Sequence, residues 1–165
     1  MDDRDFFSKV FLEMKGMLTG YFLSNKVRFQ DVEDVVNEVF FLAWKYKNTL
    51  RDKLKVRSWI FSIAKNVLKV YKNNIKKHKS RFSEVDGDLF YSNNPNDEDL
   101  SFVLELIEKL PDKYRDVFIL FYIEDKSVKE ISEILNISES NCKIRLMRAR
   151  EKLRSMLENN DLYSG

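Results

Sequence analysis

Apolar side chains recur along this chain at the three- and four-residue spacing of helices. Val32, Val35, Val36, Val39, Phe40 and Ala43 form one stripe, on a helix expected from about Gln30 to Tyr46. Ile60, Ile63, Ala64, Val67 and Tyr71 form a second, on a helix expected from about Ser58 to Lys77. Pro111 and Asp112 mark a helix start, followed by Val117, Leu120 and Phe121. Further on, Ser127 stands three residues before Glu130, the spacing of a capping box. It opens a short helix through Ile131, Ile134 and Leu135. Asn136 and Ile137 make a tight turn, and Ser138 caps a longer second helix. Two helices joined so closely predict a helix-turn-helix. No run alternates as a strand does, and no internal repeat is present. The fold class expected is all-α.

Breaks in the pattern divide the chain. Residues 79–99 are rich in Asp, Asn, Ser and Gly and read as a flexible acidic linker. Residues 1–78 and 100–165 then form two small helical domains. Only four glycines and two prolines occur in 165 residues, which fits many helices and few turns.

The net charge of +2 hides a strong segregation. Residues 1–44 carry five basic and eight acidic side chains, whereas residues 45–83 carry thirteen basic ones against Asp52 alone. Residues 84–110 return to eight acids against Lys109. Blocks of this kind point to distinct partners for distinct segments.

Within the basic block, Lys65, Lys69, Lys72 and Lys76 are spaced four, three and four apart, so one helix face carries all four. Arg51, Lys53, Lys55 and Arg57 precede that helix. Trp44, Tyr46, Trp59, Phe61 and Tyr71 are interleaved. Lysines beside aromatic platforms suit a nucleic-acid strand, by phosphate neutralisation and base stacking. A solvated lysine face over an aromatic core is the alternative reading.

On the last helix, Cys142, Leu146, Ala149 and Leu153 form a small apolar face. Ser140, Asn141, Ile144, Met147 and Arg148 occupy the opposite face, flanked by Lys143 and Arg145. Asn and Arg read adenine and guanine edges in the major groove, and apolar side chains touch thymine methyls. A plain helical hairpin with a salt-bridged surface is the alternative.

Asp31, Asp34, Glu38 and Phe41 fall near one side of their helix. No histidine, nucleophile or glycine-rich loop accompanies these acids, so a protein-docking surface or a solvated acidic face is expected before acid-base chemistry. One cysteine and one histidine leave neither a disulfide nor a Cys/His metal cage, and no metal or cofactor is expected. Cys142 reads as a buried structural thiol. An acidic start (Met1-Asp2-Asp3-Arg4-Asp5) and no apolar run near membrane-spanning length predict a cytoplasmic chain without membrane insertion.

Two blocks carry a family resemblance. Asp31-Val-Glu-Asp-Val-Val-Asn-Glu-Val-Phe-Phe-Leu-Ala-Trp44 and Ser58-Trp-Ile-Phe-Ser-Ile-Ala-Lys-Asn66 resemble the second conserved region of bacterial sigma factors of the extracytoplasmic-function type. Leu110-Pro-Asp-Lys-Tyr-Arg-Asp-Val117, Ser127-Val-Lys-Glu-Ile131 and Ile137-Ser-Glu-Ser-Asn-Cys-Lys-Ile-Arg-Leu-Met-Arg-Ala-Arg150 are similar to the fourth region of that family. The resemblance implies a non-catalytic specificity subunit that binds core RNA polymerase and directs it to promoters. Asp31, Asp34, Val35, Glu38 and Phe41 would dock on a coiled coil of the largest polymerase subunit. The same region would bind the minus-ten element and help melt it, with Arg51, Lys53, Lys55, Arg57, Trp59, Lys65, Asn66, Lys69, Lys72, Asn73 and Lys76 at the opened strand. Ser127, Ser138, Ser140, Asn141, Lys143, Ile144, Arg145, Met147 and Arg148 would bind the minus-thirty-five duplex. The resemblance also implies an anti-sigma partner. Val56, Val70, Asn73, Cys142 and Ile144 depart from the family pattern, which bears on the promoter sequence read. A stand-alone helix-turn-helix regulator and a nucleic-acid enzyme are the rival readings. The first needs a dimer or sensor interface, and the second a metal cluster or nucleophile-base pair.

Overall fold

The computed structural model describes residues 2–81 and 97–160. Among these residues every regular element is helical, as the all-α expectation requires. The α-helices are α1 (Asp3–Ser24), α2 (Phe29–Lys45), α3 (Val56–Arg81), α4 (Asp97–Glu108), α5 (Asp112–Phe118), α6 (Val128–Leu135) and α7 (Glu139–Asn160). Two single 3₁₀ turns, Lys47–Thr49 and Lys53–Lys55, lead from α2 to α3, and a π-helical turn, Ile119–Ile123, follows α5. The chain divides into two compact units, the first built on α1, α2 and α3 and the second on most of the C-terminal half. The linker expected over 79–99 falls largely on residues 82–96, outside the described residues. Its two edges are helix instead, because α3 runs to Arg81 and α4 starts at Asp97.

In the first unit α1, α2 and α3 contact one another pairwise. The Asp2 carboxylate caps α1 by accepting the Asp5 N–H at 2.8 Å. Phe7, Val10, Met14, Met17, Leu18, Tyr21 and Phe22 are its buried face, a further stripe at helical spacing. Aromatic contacts join the three helices: Phe11 stacks on Phe40 with centroids 4.5 Å apart, and Tyr21 meets Phe61 edge-on at 4.8 Å. The α3 stripe is rotated slightly from expectation. Ile60, Phe61, Ala64 and Leu68 are buried, while Ile63 and Val67 lie only half inside. After α1 the chain turns at Lys26, whose φ of 66° is left-handed. The Asn25 side chain supports that turn by donating to the Tyr21 carbonyl at 2.9 Å.

In the second unit Leu106, Ile107, Leu110, Val117, Leu120, Ile131, Cys142, Leu146 and Ala149 are buried. Leu110, Tyr114 and Ala149 cluster, with Phe118, Leu153 and Met156 against them. Arg115 closes the corner between α4 and α5. Its guanidinium donates to the carbonyls of Glu108 and Leu110, both at 3.1 Å, and pairs with Asp112. A guanidinium on the last carbonyls of a helix satisfies acceptors that the helix itself leaves open. That is a physical reason for an arginine at this place in the Leu110–Val117 motif.

Candidate functional site

Three surfaces carry the predicted residues. The first is on α2. Asp34, Glu38 and Phe41 are exposed, so an acidic face edged by an aromatic ring is presented outward. Two of the expected members are placed elsewhere. Val35 is 8% exposed and belongs to the core, because its position coincides with the apolar stripe of α2. Asp31 is half-buried and used internally. Its Oδ2 accepts from Arg28 Nε at 2.8 Å and from the Tyr71 hydroxyl at 2.7 Å. The Arg28 N–H in turn donates to the Tyr71 oxygen at 3.2 Å. Burial raises the Tyr71 phenol above its ordinary value, which keeps the donor proton in place.

The second surface is the basic one. Asn66, Lys69, Asn73 and Lys76 are exposed along α3, and Lys65 and Lys72 are half-exposed on the same stripe. The four preceding cations are not equivalent. Lys53 Nζ lies 3.5 Å from Asp3 and 5.0 Å over the Phe6 ring, and Arg57 pairs with Glu13 at 3.2 Å. These two tie the α2–α3 connection to α1 before any anion arrives. The pairs are exposed, so a phosphate exchanges with the carboxylates at little cost. The interleaved aromatics also separate. Phe61 is core, Trp59 is half-buried with its ring 6.3 Å from Phe7, and Tyr71 is held by Asp31. Trp44 and Tyr46 stay exposed, with Lys47 Nζ 4.0 Å over the Trp44 ring and Lys45 5.5 Å over Tyr46. Between α2 and α3 runs a largely apolar trough of about 320 Å³, lined by Glu38, Leu42, Tyr46, Ile63, Asn66, Val67 and Val70. It connects the acidic face to the Lys/Asn stripe.

The third surface is on α7. The capping box forms as expected: Ser127 Oγ accepts the Glu130 N–H at 3.1 Å, and Glu130 accepts the Ser127 N–H at 3.2 Å. Asn136 takes a left-handed φ of 56° in the turn. Ser138 Oγ accepts the Asn141 N–H at 3.0 Å and starts α7. Ser127 and Ser138, expected at the DNA, each accept one N–H through the hydroxyl and so also act as helix caps. Cys142, Leu146 and Ala149 are buried and Leu153 half-buried, as the spacing predicts. Burial pushes the Cys142 thiol up, so it stays protonated and unreactive at neutral pH. Outward stand Ser140, Lys143, Ile144 and Met147, the last two 44% and 47% exposed, with Arg148 beside them. Asn141 and Arg145 are half-exposed, and Arg145 Nε donates to Asn141 Oδ1 at 3.3 Å. The nearby Arg148 guanidinium draws the Tyr114 phenol below its ordinary value.

Residues 103–153 match the family described as Sigma-70, region 4. The chain is 32% identical over 128 residues to the ECF RNA polymerase sigma factor SigM of Bacillus subtilis strain 168, across 75% of this chain and 78% of that protein. It is 36% identical over 144 residues to the ECF RNA polymerase sigma factor SigW of the same organism, across 77% and 75%. Among solved structures it resembles CnrH, determined in complex with the cytosolic domain of CnrY. The TM-score is 0.62 at 24% identity over 93% of this chain and 88% of that one. It also resembles the sigma factor RpoE of Bartonella quintana, determined with the anti-sigma factor NepR. There the TM-score is 0.58 at 20% identity over 92% and 96%. At these identities the structural likeness is one of fold.

Proposed function

Because this chain belongs to the extracytoplasmic-function family of RNA polymerase sigma factors, we propose that it brings core polymerase to promoters through the three surfaces on α2, α3 and α7. In this reading residues 1–78 bind polymerase and the minus-ten element, residues 100–165 read the minus-thirty-five element, and residues 79–99 join them. Asp34, Glu38 and Phe41 form the polymerase-docking face. A helix carrying basic side chains and an apolar ridge, such as one strand of a polymerase coiled coil, complements it. Lys65, Lys69, Lys72 and Lys76 follow the phosphates of the opened strand, while Asn66 and Asn73 offer amides to its unpaired base edges. No catalytic group is supplied; the chain is a specificity subunit.

The observation that carries the reading is the sorting of α7. Ser140, Lys143, Ile144, Met147 and Arg148 stand on its outward side with Asn141 and Arg145 half-exposed beside them, and the small apolar residues stand on its buried side. With α7 in the major groove, Ile144 and Met147 meet thymine methyls and Arg148 takes a guanine edge. Asn141 pairs with adenine after releasing its long bond to Arg145. CnrH was solved with the cytosolic domain of CnrY and RpoE with an anti-sigma factor. By analogy, an anti-sigma partner that fills the α2–α3 trough blocks the docking face and the Lys/Asn stripe together.

The test is reconstitution with core polymerase, followed by size exclusion and transcription from a promoter library. Co-elution with new sequence-specific start sites is expected. Glu38→Ala with Phe41→Ala abolishes co-elution, whereas Asn141→Ala with Arg148→Ala keeps it and loses selection at the upstream element. No co-elution, with tight duplex binding by the free chain, overturns the reading in favour of a stand-alone regulator.

A further inference from the structure

Where α5 packs on α7 in the second unit, positive charge gathers around one aromatic ring. Tyr114 of α5 is buried, clustered with Leu110 and Ala149. Lys113 Nζ lies 5.1 Å from the centroid of its ring, and Lys152 Nζ of α7 lies 5.6 Å from it. Arg148, one turn before Lys152, is near enough to draw the phenol below its ordinary value. All three cations are exposed.

The attraction of a cation for a ring explains either lysine alone. It does not explain three positive charges gathered without a counter-ion. Among the described residues no carboxylate forms an ion pair with Lys113, Arg148 or Lys152, whereas Arg28, Lys53, Arg57 and Arg115 each hold one. Asp112, next to Lys113 in sequence, is taken by Arg115. Like charges this close repel, and an anion set among them reverses the sign of the interaction. The phenol adds an O–H donor at the same place. Two ammonium point charges and a hydroxyl suit a phosphate with several oxygens better than a planar carboxylate, which favours the guanidinium fork.

Position along α7 decides the source of that phosphate. Asn141, Arg145, Arg148 and Lys152 follow one another at spacings of four, three and four, on one side of the helix. At about 1.5 Å per residue, Lys152 lies roughly 16 Å along the axis from Asn141. The major groove is about 12 Å wide, so Lys152 has passed the base edges and stands at the groove wall.

We propose that Lys113, Tyr114 and Lys152 form a seat for one backbone phosphate of duplex DNA, which Arg148 joins to the base-reading face. This rests on the reading that α7 enters the major groove at the upstream element. The seat fixes the register of α7 on the duplex and carries no sequence information itself.

The test uses polymerase holoenzyme assembled with the full chain, and fluorescence anisotropy on duplex carrying the upstream element. Backbone phosphates are replaced one at a time by neutral methylphosphonates. At one position the replacement is expected to weaken wild-type binding by about tenfold. It should weaken the Lys113→Ala/Lys152→Ala double variant by less than about twofold, because the partner charges are already gone. On unmodified duplex the double variant should flatten the log–log salt slope by about 0.9. Tyr114→Phe, which keeps the packed ring, should bind about fivefold more weakly. These losses should be equal on the element and on base-substituted versions of it, as a phosphate contact requires. Thermal unfolding of the lysine variant should match wild type, since both side chains are exposed. Methylphosphonate effects that are the same in wild type and double variant at every position overturn the seat. Wild-type affinity in Tyr114→Phe overturns it too, as do losses confined to one base sequence. Wild-type holoenzyme that does not select the upstream element overturns the groove reading, and the seat with it. Selection retained without the methylphosphonate coupling overturns the seat alone.

Discussion

Asp31 shows how one carboxylate changes role once its neighbours are known. Its Oδ2 receives Arg28 and Tyr71, so it ties the start of α2 to α3. Hydrogen bonds to a charged group contribute more than neutral ones, and a half-exposed site discounts them. Asp31→Asn is expected to lower stability by about 1–2 kcal/mol and Tyr71→Phe by about 1 kcal/mol in urea unfolding. The double variant should lose less than the sum, because the two changes remove one shared bond. Glu124 makes the opposite case. Burial raises its carboxyl above the ordinary 4.5, with Lys126 pulling it back, so the protein favours the protonated form. A raised folded value means that this contribution is fully present below pH 4.5 and is lost as pH rises through the folded value. Glu124→Gln is therefore expected to raise Tm at pH 7 and to leave it unchanged below pH 4.5, which paired thermal melts will decide.

Elements in this protein are set largely by their ends. The helix-turn-helix rests on the reciprocal Ser127/Glu130 bonds, the left-handed Asn136 and the Ser138 cap. Ser138→Ala should cost about 1 kcal/mol in chemical unfolding. In the reconstituted system it should weaken upstream-element selection without loss of polymerase co-elution, because α7 frays at the end proposed to enter the groove. Asn136→Gly should be tolerated, whereas Asn136→Val should cost about 2 kcal/mol, since a β-branched side chain opposes φ of 56°. In the first unit the ends matter less than the stripe. Ile60 is wholly buried near the start of α3, and Ile60→Ala should cost about 2–5 kcal/mol, depending on how far α1 and α2 collapse into the space. Denaturation followed by far-ultraviolet circular dichroism measures it.

At the scale of the whole molecule, charge segregation decides how binding responds to salt. Thirteen basic residues in 45–83 give the first unit a strong field, although Lys53 and Arg57 already hold α1 carboxylates. Binding of single-stranded minus-ten DNA by the holoenzyme should weaken steeply with salt. Lys69→Ala and Lys76→Ala should each flatten the log–log slope by about 0.7, as measured by fluorescence anisotropy. Lys53→Ala should flatten it less, because releasing Asp3 offsets part of the phosphate contact. Much of this architecture was legible in residue order. Helical stripes, capping boxes and the Asn136 turn depend on groups within four residues of one another, and the two motif blocks are contiguous runs. For the same reason α1 was available to be read from Phe7, Val10, Met14 and Met17, although the segment carries no cap-to-motif signal as strong as those of the others. What the tertiary structure alone decided was which functional groups are taken and which remain outward. Asp31 meets Tyr71 forty residues away, and Arg57 meets Glu13 across forty-four. Phe61 turns to Tyr21 while Trp44 stays open. No local pattern encodes such meetings. The sequence by itself determined the helices, the family and the three surfaces; three-dimensional contact determined their membership, because a side chain's availability depends on distant partners that only folding brings within bonding range.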